Sequence, residues 1–393
     1  MRSQELCDEV NVASESRTKE RPISRRKTLV SVGAGIVAAV TGPATVHAAT
    51  PTTEAVPAFR EGRSVVETVD LPRQWLDHRT RVYGAKRQLL DRVSDVPAVF
   101  SVGLVGQSET YGDRRGLAIR VQVTEESAGS RVPDAVDGVP VRVEAAPNAH
   151  GPGGCYNNSG EERAAGGEAV GWDGHGYGTA SAAVHNEDRG VTQLLHCAHV
   201  FYRDCTDAKK NDLVGRGVTR GAGDSEKVRI GTIASWDRTG DYVLIDADED
   251  SEFLPYIDGE STQFTIRGHV SPEKIDALAA GDEDATVKKM GVTTGMTTGT
   301  ILSSGLSFTM PDVCYNYHGA GVEASTNFAD GDSGGPVFLT RNGGEDAYLS
   351  HIASYRYWDR AGIETCVGNN VQRGNAVGTA GYHIANTEPI TFG

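Results

Sequence analysis

A serine stands inside Gly331-Asp332-Ser333-Gly334-Gly335-Pro336, and the chain then runs into apolar Val337-Phe338-Leu339. A surface turn needs one or two such residues, not six in this order. Glycine lets backbone amides approach whatever the hydroxyl faces, and the apolar run reads as a buried strand anchoring the turn. A serine hydroxyl at its ordinary pKa is a poor nucleophile. It needs a base to take its proton, and the base needs an anion to hold its tautomer and its charge.

His199 is the histidine best placed to be that base, at the end of the strand-like Leu194-Leu195-His196-Cys197-Ala198 run. Asp241 stands just before Tyr242-Val243-Leu244-Ile245, where a strand start can partly bury a carboxylate. The order is His199, Asp241, Ser333, with gaps of 42 and 92 residues. His196 competes with His199 but reads as structural, and Asp237, Asp246 and Asp248 crowd around Asp241. His175, His185, His318 and His351 read as surface or core histidines.

These motifs together resemble the chymotrypsin-like (trypsin-fold) serine proteases of the secreted bacterial or archaeal type. Gly331–Pro336 matches the nucleophile motif of that family in full. Cys197-Ala198-His199-Val200 resembles its histidine motif, with a cysteine where another small residue is commonest. Gly240–Ile245 resembles its aspartate-plus-strand motif, and Gly291–Ile301 a Gly/Thr-rich strand pair of bacterial members. The resemblance covers about residues 168–390. It implies Ser333 as nucleophile, His199 as general base and then acid, and Asp241 as orienting carboxylate. It also implies an oxyanion hole from the Gly331 and Ser333 amides, and an Asp332 turned inward to an ion pair or buried donors. By the same resemblance the primary pocket wall begins at Asn327, and an aspartate there would favour basic side chains. Its absence gives no support to trypsin-like cleavage. The substrate-pairing strand would be Ile352 to Tyr355, with Ser354 near the triad carboxylate. Tyr355 and Tyr357 could narrow the pocket.

The elements that must position these groups are legible in outline. From about residue 168, short alternating segments separated by turns imply a sandwich, a barrel or two small packed barrels. The chymotrypsin-like resemblance narrows this to a mainly β fold of two packed six-stranded antiparallel β-barrels over 168–393. Upstream, 73–93 has helical period with Trp75, Leu76, Val82, Leu89, Leu90 and Val93. Three strand-like segments follow, at 98–106, 116–124 and 139–145, so 72–147 reads as a small α+β module. Residues 49–71 read as a linker, and 148–167 as a Gly-rich loop open to processing. In position and size the module suits a pro-domain, with a retained binding module as the alternative.

The N-terminus reads as an export signal over 1–48: Arg25-Arg26, a short apolar stretch, and Val46-His47-Ala48 at the cleavage point. The paired arginines after Ser24 resemble a twin-arginine signal, so a secreted (extracellular) protein is expected, with no stable membrane association. The formal net charge of −15 argues against nucleic acid, whose phosphates such a surface repels. Only nine of the 38 basic residues are lysine, a composition compatible with a salt-adapted source. Cys155, Cys197, Cys205, Cys314 and Cys366 remain after the signal, enough for two disulfides and one free thiol, with Cys197 and Cys205 able to close a small loop. No CxxC pair marks a zinc site, and no metal or organic cofactor is implied, though the acidic segment 246–252 leaves a stabilising calcium open. The reading is therefore a monomeric serine endopeptidase acting on polypeptides. An exported binding or adhesion protein on the same fold, with an idle triad, is the alternative.

Overall fold

A computed structural model describes residues 52–393, except 95, 97, 146–162, 173–175, 203–212, 222–227, 260–261, 282–285, 311–314, 342–343 and 365–369, and the side chains of 126, 308–318 and 356–373. The export signal, His175, most of the 148–167 loop and every cysteine but Cys197 fall outside the described residues, as do the side chains of His318 and Tyr357.

Chain patterning converts directly into strands. The turn His185 to Gly190 joins Ala182–Asn186 to Val191–Cys197, with Ala182 opposite Leu195 and Asn186 opposite Val191. Val191–Cys197 then pairs antiparallel with Tyr242–Ala247, and Val228–Asp237 flanks the latter on its other side. These strands belong to a curled eight-stranded antiparallel sheet spanning 169–247 and closed at one edge by Ile390–Phe392. Leu194, Phe201, Val218, Ile230, Val243 and Ile245 fill its inside.

A nine-stranded sheet carries Pro336–Thr340, paired with Val287–Gly291 on one side and Asp346–Ile352 on the other. A further eight-stranded sheet holds Ile301–Met310, Tyr315–Phe328, Asn370–Thr379 and the edge strand Tyr355–Glu364. Between these two sheets lie Val287, Ile301, Val322, Phe328, Val337 and Leu339. Leu195, Cys197, Tyr242, Leu244, Phe338, Leu349 and Ile352 form the apolar seam joining the first sheet to the second. The protein is mainly β, with the curled antiparallel sheets expected of a chymotrypsin-like fold.

The helix expected at 73–93 is Arg73–Val93, burying Trp75, Val82, Leu89 and Val93 against Leu104, Leu117, Ile119 and Val121. Its three expected partners are the strands Val99–Tyr111, Arg114–Val123 and Val139–Ala145. They extend the sheet that holds Ile301–Met310: Leu104 faces Ser304 and Val102 faces Ser307. Arg120 of this module and Glu323 of the neighbouring sheet form a buried ion pair, and Asn375 Nδ2 donates to the same carboxylate at 2.8 Å. Pro272–Ala280, capped by Ser271 Oγ accepting from the Lys274 amide at 3.2 Å, lends Ala277 and Ala280 to the module's core.

One expectation is corrected. Within 49–71, read as linker, the strand Thr53–Glu61 forms a hairpin with Ser64–Pro72, and its first strand pairs with Thr262–Val270. Its Pro, Thr and Glu residues hide a short inward face of Val56, Ala58 and Phe59, and its partner strand lies some 200 residues away, beyond any local signal.

Candidate active site

Strand register brings His199 and Asp241 together. Cys197 ends one strand opposite Tyr242, which begins the next. The residue two past Cys197 and the residue one before Tyr242 therefore emerge at the same end of the sheet. His199 Nδ1 lies 2.8 Å from Asp241 Oδ2, while Asp241 Oδ1 accepts from the Ala198 and His199 amides at 3.0 and 2.9 Å. A fully buried carboxylate is thus met by three donors, which offset the cost of taking it out of water. Asp241 has φ 51°, a left-handed conformation costly for most side chains but within reach of aspartate.

The competing carboxylates have other work. Asp237 Oδ1 accepts from the Thr239 and Gly240 amides at 2.6 and 2.9 Å, building the turn that delivers Asp241. Asp246 takes both guanidinium nitrogens of Arg189, at 2.9 and 2.7 Å, and Asp248 takes Arg229 at 2.7 Å. His196 is wholly buried, and burial pushes its imidazole down to about 3, so it is a neutral packing group under the Ser333 loop. His351 is likewise buried and held down to about 3, whereas His185 is exposed.

Ser333 sits on a loop held from both sides. Thr179 donates its amide to Ser333 O at 2.7 Å and its hydroxyl to Gly331 O at 2.8 Å. Asp332 turns inward and collects five donors: the Thr293, Thr294 and Ala329 amides, Thr294 Oγ1, and Lys289 Nζ at 2.8 Å. Burial lowers the Lys289 ammonium, opposed by the Asp332 charge and hydrogen bond. Gly331 has φ 96°, and a Cβ there would meet Thr293 Oγ1 at 2.4 Å, so only glycine fits.

His199, Gly331 and Ser333 open on one cleft of about 340 Å³, lined also by Gly176, Tyr177, Val200, Tyr202 and Asp330. Desolvation pulls the His199 imidazole down, and the Cys197 sulfur and Asp241 carboxylate pull it up. The net is a pKa well above the ordinary histidine value. An imidazole tied through Nδ1 to a carboxylate presents Nε2 as its exchangeable site, suited to taking a proton from a hydroxyl.

Asn327, Ser354 and Tyr355 are not among the residues lining this cleft. Asn327 is half-buried, its carbonyl accepting from Thr294 Oγ1 at 3.3 Å. Ser354 is buried, with its amide on Val377 O at 2.8 Å. Ala353 is used internally at both ends, giving its N–H to Gly335 O and its carbonyl to Gly334. Among the described strands, Tyr355–Glu364 stands at one end of its eight-stranded sheet. Of the pairings the sequence left open, none involves Cys197, which is a buried free thiol packed in the seam between sheets, 3.9 Å from His199 Nε2; Cys205 lies outside the described residues.

Sequence reasoning passed over Lys289, Thr179 and Tyr177. A signal existed for the first: two of the chain's nine lysines, Lys288 and Lys289, fall in one short apolar strand.

No protein-family model and no curated protein matches the chain. Among solved structures it is similar to chymotrypsin-like serine proteases. For the Nocardiopsis protease NAPase the identity is 17%, over 58% of this chain and 98% of that one, at a TM-score of 0.40. For the Cellulomonas bogoriensis chymotrypsin it is 18%, over 58% and 98%, also at 0.40. For Thermobifida fusca Protease A it is 17%, over 58% and 98%, at 0.39. Among the described residues, no helix is long and apolar enough to cross a membrane.

Proposed function

We propose that the protein is a serine endopeptidase that cleaves polypeptides through an acyl-enzyme. The observation that carries this reading is the 2.8 Å His199–Asp241 pair, its carboxylate fully buried, opening on the same cleft as Ser333. Ser333 Oγ attacks the scissile carbonyl carbon as its proton passes to His199 Nε2. The Gly331 and Ser333 amides receive the resulting oxyanion. His199 then protonates the leaving amine, and water activated by the same imidazole attacks the ester, freeing the acid and restoring the serine. Asp241 stays ionised throughout, holding Nδ1–H and stabilising the imidazolium. Substrate backbone adds to the end strand Tyr355–Glu364 as an extra strand.

The same reading makes 1–48 a twin-arginine export signal and the protein extracellular. The 72–147 module is a pro-region that folds with the catalytic half and is cut away within 148–167. Its sheet, continuous with Ile301–Met310, supports co-folding.

A fluorophosphonate probe tests the chemistry: labelling of the exported protein, lost in Ser333→Ala, is expected. An intact chain that neither labels nor digests casein sinks the proposal. N-terminal sequencing of the exported protein tests maturation, and a start near Ala49 rejects it.

A further inference from the structure

A second cavity, of about 570 Å³, shares no lining residue with the cleft at Ser333. It lies where separated parts of the chain meet: the turn of the first hairpin, the turn carrying Glu187 and Asp188, the strand end at His269, and residues 385–391.

Part of its lining is made of donors. Arg60 stands directly opposite His269 across the paired strands Thr53–Glu61 and Thr262–Val270, so both side chains leave the same face of the sheet. Among the described residues the Arg60 guanidinium meets no carboxylate, and its hydrogen bond is a long one, Nη1 donating to Arg63 O at 3.4 Å. His269 is only 4% exposed, yet its Nδ1 finds no partner among the described residues. Polar atoms so enclosed are normally paired. Burial, with the Arg60 charge beside the ring, holds this imidazole down to about 4. At neutral pH the pair is therefore a guanidinium next to an uncharged imidazole that carries one N–H. Such a pair suits a carboxylate.

The remaining charged lining is acidic, and two of its three carboxylates are engaged. Glu187 Oε2 accepts from Arg63 Nη2 at 3.3 Å, and Glu388 Oε1 accepts from the Tyr242 hydroxyl at 2.9 Å. Asp188 stands exposed on its turn with no partner among the described residues. We propose that this cavity binds a short free peptide, its terminal carboxylate on Arg60 and His269 and its terminal amine at Asp188. A bare anion would meet three carboxylates, and a bare cation would meet Arg60. A zwitterion answers both sets. The volume exceeds what a single small amino acid fills, since sites of about 300–1,000 Å³ take drug-sized molecules.

Binding needs nothing from Ser333. Its use does rest on the peptidase reading: short free peptides are what an endopeptidase releases on repeated cleavage, so the cavity collects products of that reaction. Sequence spacing could not announce the site, because positions 60, 188 and 269 become neighbours only through strand pairing and turn placement.

Calorimetry with tri-alanine tests the site, on full-length Ser333→Ala protein so that no ligand is digested. One equivalent should bind. Amidating the peptide's C-terminus or acetylating its N-terminus should each weaken binding about tenfold or more, the scale of a lost charge-assisted hydrogen bond. In Arg60→Met the preference for acid over amide should vanish while the preference for free over acetylated amine remains. Asp188→Asn, on an exposed turn, should do the reverse. A merely structural role for either residue would weaken all three peptides alike, and that result overturns the assignment, as do unchanged preferences in both variants. No saturable heat up to about 10 mM peptide, where even a millimolar site fills, overturns the site itself. Alanine or acetate binding as tightly as tri-alanine overturns the peptide as its occupant. A serine-intact chain that binds tri-alanine but never labels with fluorophosphonate keeps this cavity's role as a peptide site and loses the peptidase reading.

Discussion

Lys289 Nζ lies 2.8 Å from Asp332 Oδ2, and neither side chain reaches solvent. An ammonium from the strand Val287–Gly291 therefore sets the shape of the loop that presents Ser333, through the residue immediately before it. The cation comes from inside the chain, on a strand already paired with Pro336–Thr340, so folding of that sheet and shaping of the loop are one event.

Lys289→Met should expose the dependence. It leaves the Asp332 charge buried without its counter-ion, and breaking such a pair costs about 3–5 kcal/mol. The urea midpoint should fall and Ser333 labelling should slow with it. A variant as stable and as fast to label as the parent would show that the amides and Thr294 hold Asp332 alone.

Gly331→Ala should abolish labelling with a smaller loss of stability. The new methyl would sit 2.4 Å from Thr293 Oγ1 at a φ of 96°, so the loop must shift. The Gly331 amide then leaves the place where an oxyanion develops, and one lost donor of that kind costs about 10²–10³ in turnover. Burst kinetics on an activated ester would read it.

Asp241→Asn should cost about 10⁴ in kcat, the scale expected when a triad histidine is held in the wrong tautomer. Asp246→Asn and Asp248→Asn, which loosen partly exposed pairs with Arg189 and Arg229, should stay within a few-fold of the parent. Comparable losses in all three would remove Asp241 from its special place.

The pH dependence follows from His199, whose pKa is raised well above 6.5. Activity needs the neutral ring, so kcat/KM should fall as pH drops through that raised value, with its acid limb above 6.5. Stability runs the opposite way. The folded state prefers imidazolium more than the unfolded chain does, so this contribution is complete below the unfolded pKa and is lost as pH rises through the folded one. Paired kcat/KM and thermal-unfolding profiles check both signs. An acid limb near that of free histidine would mean that Cys197 and Asp241 do not raise the imidazole in solution.

Arg120→Ala in the full chain strips the guanidinium from Glu323, which is fully buried and retains Asn375 as a donor. Destabilisation of about 3–5 kcal/mol is expected, read by urea unfolding. An unchanged midpoint would mean that the two halves do not depend on this pair.

Much of this site was legible along the chain. Gly331–Pro336 announced a shaped serine because so many special residues fall within six positions, and Cys197–His199 and Gly240–Ile245 each join a chemical group to an apolar strand. The long helix Arg73–Val93 was readable because its apolar period runs for 21 residues. Helices and strands answer to neighbours in sequence, so their signals are local.

What the chain alone could not decide depends on pairs remote in sequence. Which of four carboxylates serves His199 was settled by the Cys197–Tyr242 register and by the guanidinium partners that claim Asp246 and Asp248. The ion pair that shapes the serine loop spans 43 positions and the hairpin at 53–72 finds its partner strand beyond 260, so neither leaves a periodic trace. The sulfur beside His199 read as a small residue or half a disulfide until folding set it against the ring. Periodicity records which way a side chain points. Only closure of the sheets decides what it meets there.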